Sequence, residues 1–276
     1  MTARTRSKAG RAKRSPGRSL RGGASIPPQG SVSHHEALAA SLTQERTEAF
    51  IAALAVPDGE NRAEVTGRRI KALHEAVRES YDIMNSLLGE LDLDPPIACK
   101  SGCIHCCYNQ IALTEPEALF LGMHLLETRT PEQLPELRAR ALALTERLNG
   151  KSWRDIGMAR HLLPCVFLEN GNCSVYPARP FACRGWNSVD VNMCVRSNLT
   201  EDAMTLIENH PIMRQIADGI QKGLLHGSKA LGLEAGYLLM VRAVSLLMEG
   251  GLEQGLLDRT ADWLRGDPFF GRKKDW

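Results

Sequence analysis

The chain has 276 residues, of which 43% are apolar, 24% charged and only 5% aromatic. That length buries a sizeable core and excludes a tiny disulfide-stapled scaffold, and the balance is that of an ordinary globular protein. The formal charge of +2 is unevenly placed: residues 1–35 hold eight of the 34 basic side chains and no acid, leaving 26 basic against 32 acidic, a net of −6, for the rest.

Residues 1–33 are rich in Arg, Ser, Gly and Pro and carry hardly any large apolar side chain. Such a segment cannot repay its ordering entropy, so a disordered basic tail is expected, followed by one helical domain over 34–276. The tail has no interleaved aromatics for base stacking and the chain shows no nucleic-acid fold motif, which disfavours a nucleic-acid partner. The longest apolar run, Tyr237 to Met248, spans 12 residues and contains Arg242, well short of the roughly 20 residues of a membrane helix. The start lacks the apolar region of a secretory signal, so a cytoplasmic, reducing location is expected.

Ser33-His34-His35-Glu36 has a capping-box pattern and predicts a first helix running to about Val56, where Pro57-Asp58-Gly59 stops it. A second helix follows from about Glu60 to Leu91, its core stripe formed by Ile70, Leu73, Val77, Tyr81, Met84, Leu88 and Leu91 at spacings of three and four. Thr114-Glu115-Pro116-Glu117 is another capping box and opens a helix to about Glu127. Further helices are expected over 131–148, 211–225, 235–248 and about 256–264. One segment departs from this pattern: Glu169-Asn170-Gly171-Asn172 lies between short β-prone runs and predicts a hairpin. The expected fold is mainly α, a helical domain enclosing an irregular cysteine-rich metal-binding core at 97–194 with one short β-hairpin.

The eight cysteines, Cys99, Cys103, Cys106, Cys107, Cys165, Cys173, Cys183 and Cys194, all fall within residues 99–194, in the middle of the chain. Four of them occur within nine residues as C-x3-C-x2-C-C, too tight for unstrained disulfides at most pairings. In a reducing compartment such density points to a metal, and soft thiolates select zinc, copper(I) or iron-sulfur clusters. Adjacent side chains point in different directions, so Cys106 and Cys107 do not easily serve one tetrahedral site. Eight thiols also exceed the four that one closed site uses, which predicts a polynuclear cluster or two neighbouring sites. The group at Cys165, Cys173 and Cys183 must then fold back onto the first array. Closing that loop of about 60 residues costs little beside metal binding of about 10 kcal/mol or more.

Thiolates around a cation or cluster leave negative charge, which gives Arg179 and Arg184 a task beside the site, while Lys100 reads as a surface cation. His105 is either a ligand or a loop residue, and His161 is a weaker candidate. Gly150-Lys151-Ser152 imitates the end of a P-loop, but Thr145 stands where the first glycine belongs and a helix precedes it. Neither a dinucleotide fingerprint nor a zinc-protease motif is visible, so no catalytic residue is assigned.

The array Cys99–Cys107, the following Ile111-Ala112-Leu113-Thr114, and Cys173-Ser174-Val175-Tyr176-Pro177-Ala178-Arg179-Pro180-Phe181-Ala182-Cys183-Arg184 together resemble the YkgJ-type cysteine-cluster family, zinc- or iron-chelating domains. The resemblance covers about residues 97–187, and the tail at 263–269 is similar to tails on such proteins. It implies that the seven cysteines from Cys99 to Cys183 chelate; Cys194 lies outside the common pattern. A flagellin lysine N-methylase carries a related cluster and some members are labelled iron-sulfur oxidoreductases. The expected function is therefore chelation of zinc or iron, with an iron-sulfur oxidoreductase or methyltransferase-like enzyme as the alternative. The C-x3-C-x2-C spacing also equals that of radical S-adenosylmethionine enzymes, but the strand-helix repeats of their barrel are missing.

Overall fold

The computed structural model describes residues 32–57, 59, 61, 67–199 and 205–268. The reading of residues 1–31 as a basic tail lies outside them. The fold is mainly α. Its longest helices are α1 (Val32–Leu54), α2 (Gly67–Glu90), α3 (Glu115–Thr128), α4 (Gln133–Leu148) and, further along, α8 (Pro211–Ala230) and α10 (Leu252–Arg265). Between them lie α5 (Trp153–Met158), α6 (Phe181–Gly185), α7 (Val191–Leu199) and α9 (Met240–Leu247). No helix among the described residues is long and apolar enough to cross a membrane.

Helix α1 begins at Val32, one residue before the expected Ser33. The predicted stripe of α2 is core: Leu73, Val77, Tyr81 and Met84 are buried, with Ile70, Leu88 and Leu91 packed against them. Helix α10 opens at Leu252, earlier than expected, and stops at Gly266, which takes the left-handed backbone that a Cβ disfavours. The hairpin is also present, β2 (Leu168–Glu169) pairing antiparallel with β3 (Asn172–Cys173) around Asn170-Gly171, both at positive φ as a type I′ turn requires.

Two expectations are corrected. The hairpin is not the sole β element, because β1 (Ala112–Leu113) pairs antiparallel with β4 (Leu238–Leu239). The helix expected from Ala235 accordingly starts only at Met240, whose N–H donates to the Ile111 carbonyl at 3.0 Å. Leu238 and Leu239 are buried, and an apolar run of this length fits a buried strand as well as a helix until its partner is known. The P-loop-like Gly150-Lys151-Ser152 has a local use: Ser152 caps α5, accepting from the Asp155 N–H at 3.2 Å while its own N–H donates to Asp155 Oδ2.

Helices α1 and α8 form the most extensive helix pair, and small residues set their approach. A Cβ on Gly219 would meet the Ala39 carbonyl oxygen at 2.7 Å, one on Gly223 the Arg46 Cβ at 2.4 Å, and one on Gly227 the Phe50 ring at 2.8 Å. Across the same seam Thr43 and Thr47 hydroxyls donate to the Gly219 and Gly223 carbonyls at 3.1 and 3.3 Å. Gly223→Ala is thus expected to cost about 1–3 kcal/mol by overpacking, read as a lowered midpoint in thermal unfolding. Buried Arg69 ties further ends together, donating to the last-turn carbonyls of α1 (Leu54) and α10 (Leu264).

Candidate metal centre

The cysteine region sits where the helices leave irregular chain between them. Cys99 lies on extended chain held by Ala98, whose N–H donates to the Ser188 carbonyl at 2.8 Å. Gly102, at φ +82, turns the chain so that Cys103 can close onto Lys100 O, and a 3-10 turn over His105–Tyr108 carries Cys106 and Cys107. The second group is stitched to the first by one backbone bond, Cys165 N–H to Cys107 O at 2.7 Å. Cys173 then sits on β3, Cys183 in α6 and Cys194 in α7.

Every one of these thiols is free. Cys99, Cys103, Cys106, Cys107, Cys165, Cys173 and Cys183 line one cavity of about 300 Å³. Cys194 lines a neighbouring cavity of about 40 Å³ together with Cys99, Cys103 and Cys106. The doublet does not diverge as fully as its adjacency predicts. Cys106 and Cys107 both reach the larger cavity, while only Cys106 also faces the smaller one.

Burial pushes the Cys165 thiol up to about 12, lifts Cys183 well above its usual value and raises Cys99, Cys173 and Cys194. Cys106 is raised first by its bond to Cys107, then by burial. Neutral thiols have little reason to converge, and among the described residues no three His, Cys, Asp or Glu side chains form a ready-made grip on one ion. Rotating a side chain away from its preferred well costs about 0.5–1.5 kcal/mol, against about 10 kcal/mol or more gained by a structural thiolate site. The donor chemistry therefore fits a soft metal, with proton release on binding.

Arg179 lines the larger cavity, its guanidinium 4.4 Å from the Tyr176 ring centre, and it favours the ionised forms of Cys106, Cys173 and Cys183. Its charge lies where a set of thiolates would need compensation. Arg184 works mainly as a clasp: buried, it donates to the Pro177 and Arg179 carbonyls at 2.6 and 3.0 Å and to Asn85 Oδ1 at 2.8 Å, and it stacks over Tyr81 at 4.6 Å. Lys100 is exposed at the cavity edge. His105 borders the smaller cavity with its ring Nδ1 3.4 Å from Asn198 Nδ2, while His161 lines neither.

Sequence reasoning missed the residue that braces α6. Glu117, fully buried, accepts from Thr114 N and Oγ1 at 2.8 and 2.9 Å, from Gln221 Nε2 at 2.7 Å and from Phe181 N at 3.0 Å. Its capping box was legible, but the bond to Phe181, two residues before Cys183, spans 64 positions and left no local signal. The Phe181 ring also stacks on Tyr81 at 4.3 Å.

The hairpin is held by charge. Glu169 bonds Arg129, after α3, and Arg140, on α4. Burial pushes its carboxyl up, but the two guanidiniums prevail and hold it below the usual value. A depressed carboxyl stabilises the fold above its unfolded pKa, so this contribution is present at neutral pH and is lost as pH falls through the lowered folded value. Glu169→Gln is expected to cost about 1–2 kcal/mol at pH 7 and to flatten that acid dependence, measured by denaturant unfolding between pH 3 and 7.

Residues 98–198 match the model of the family CxxCxxCC, "Putative zinc- or iron-chelating domain". The matched stretch contains all eight cysteines. No curated protein and no solved structure matches the chain.

Proposed function

We propose that the protein holds zinc or an iron-sulfur cluster through Cys99, Cys103, Cys106, Cys107, Cys165, Cys173, Cys183 and Cys194. The carrying observation is the meeting of seven free thiols, drawn from four separate stretches of chain, around one cavity with the eighth next door. When bound, zinc would cross-link these stretches, and an iron-sulfur cluster would add one-electron redox capacity. Arg179 offsets the thiolate charge, while Arg184 and Glu117 fix the turn and the helix that present Cys183. A reducing cytoplasm, where free thiols persist, suits this chemistry.

The roomy larger cavity favours a cluster over a lone ion there. It also motivates the second reading, an iron-sulfur oxidoreductase or methyltransferase-like enzyme. Tyr176 and Trp186 line that cavity and are exposed, which leaves a route for a substrate. The test is anaerobic purification of the full chain, followed by counting metal and sulfide and recording the absorption spectrum. Iron with matching sulfide and a broad visible band supports the cluster, colourless protein with zinc supports the zinc site, and protein free of both metals overturns the proposal.

A further inference from the structure

We infer, resting on the metal-binding reading above, that the eight cysteines form two adjoining metal sites sharing Cys106: a smaller one held by Cys99, Cys103 and Cys194, and a larger one held by Cys107, Cys165, Cys173 and Cys183. The division follows the cavities. Cys194 faces only the smaller space, Cys107, Cys165, Cys173 and Cys183 face only the larger, and Cys106 faces both. Cys99 and Cys103 border both spaces; the smaller needs both to reach the four donors of a closed site, whereas the larger already has four thiols that face it alone. Cys99 Sγ donates to the Ser188 carbonyl at 4.0 Å, and Ser188 lines the smaller space beside Cys194 but not the larger.

The sizes agree with the donor sets. One water needs about 10–15 Å³ of such space, so a cavity of about 40 Å³ takes a single ion and not a cluster. With Cys106 that space has four thiol donors, the number a closed tetrahedral site uses. The larger cavity has four thiols of its own before Cys106 is added, enough for a second closed site or a cluster. Helix α7 is fixed over the smaller space by polar ties. Asn198 donates to the His105 carbonyl at 3.1 Å, and Arg160 bridges Asn109 Oδ1 and the Ser197 carbonyl at 3.2 and 3.1 Å. Cys194 is thereby held against the 3-10 turn that carries Cys106. Cys99 is the exposed thiol of the eight, so the smaller site is the one that exchanges its ion with solution.

The test counts metal in the anaerobically purified full-length chain before and after a brief challenge with EDTA, in wild type, Cys194→Ser and Cys194→Ala. Far-ultraviolet dichroism checks the fold of each variant. The wild type is expected to surrender one ion per chain quickly and to keep the remainder; both variants should lack that labile ion and keep the remainder. An unchanged labile ion in both variants, or loss of all metal together from folded variants, overturns the division into two sites while leaving chelation intact. A metal-free wild type overturns the reading on which the inference rests.

Discussion

Changing Cys106 and Cys165 together to serine, which removes the shared thiol and one of the four that face only the larger cavity, is expected to lower bound metal at least tenfold and to unfold the cysteine region while the outer helices persist. The reason is the thinness of local structure there. Residues 97–110 and 163–185 contain two-residue strands, 3-10 turns and a five-residue helix, joined by single backbone bonds such as Cys165 to Cys107. Such elements have few cooperative bonds of their own, so about 10 kcal/mol or more of metal binding would decide their order. The pair α1 and α8 draws instead on its glycine seam and buried side chains, including Phe50, Leu54, Ile216 and Ile220. Hydrogen exchange read by mass spectrometry should show protection lost over 97–110 and 163–199 and kept over 32–54 and 211–230. Unchanged protection and unchanged metal content in the double variant would contradict this.

The second large effect is expected at Glu117, which touches no candidate ligand. Alanine there strands the Phe181 N–H and the Thr114 N–H and Oγ1 in a buried space and leaves the Gln221 amide only its 3.4 Å bond to the Ala112 carbonyl. Each buried donor left without an acceptor costs about 1–3 kcal/mol, and partial relaxation sets the total at about 3–5 kcal/mol. Because Phe181 opens the helix that presents Cys183, metal content should fall along with stability. Glu117→Gln keeps one acceptor oxygen and places an amide donor among donors, so about half of the loss should remain. Denaturant midpoints and metal counts for the two variants check this, and a metal count unaffected by Glu117→Ala would separate the brace from the site.

Much of this was legible in the sequence, for definable reasons. Helices α1 to α4, α8 and α10 were announced by periodic apolar residues or end signals, and the hairpin by Asn170-Gly171. The short helices α5, α6 and α7 hold too few turns for a period to show. The β1–β4 pair joins Ala112 with Leu239 and Leu113 with Leu238, 127 and 125 positions apart, so neither half carries a turn signal. The cysteine spacing points to the proposed donor set but not to its proposed division, because that depends on how α7 lies over the 3-10 turn. The doublet shows the same limit. Adjacency alone predicted divergence, whereas the turn at His105–Tyr108 lets both thiols reach one cavity and gives Cys106 a second.

X-ray absorption at the edge of whichever metal co-purifies under anaerobic conditions tests the central claim most directly, since it reports the atoms bound to the ion. Thiolate chelation predicts a first shell dominated by sulfur at about 2.3 Å. A shell of nitrogen and oxygen at about 2.0–2.1 Å, with the eight thiols still titrating as free, would show that the cysteines do not hold the metal.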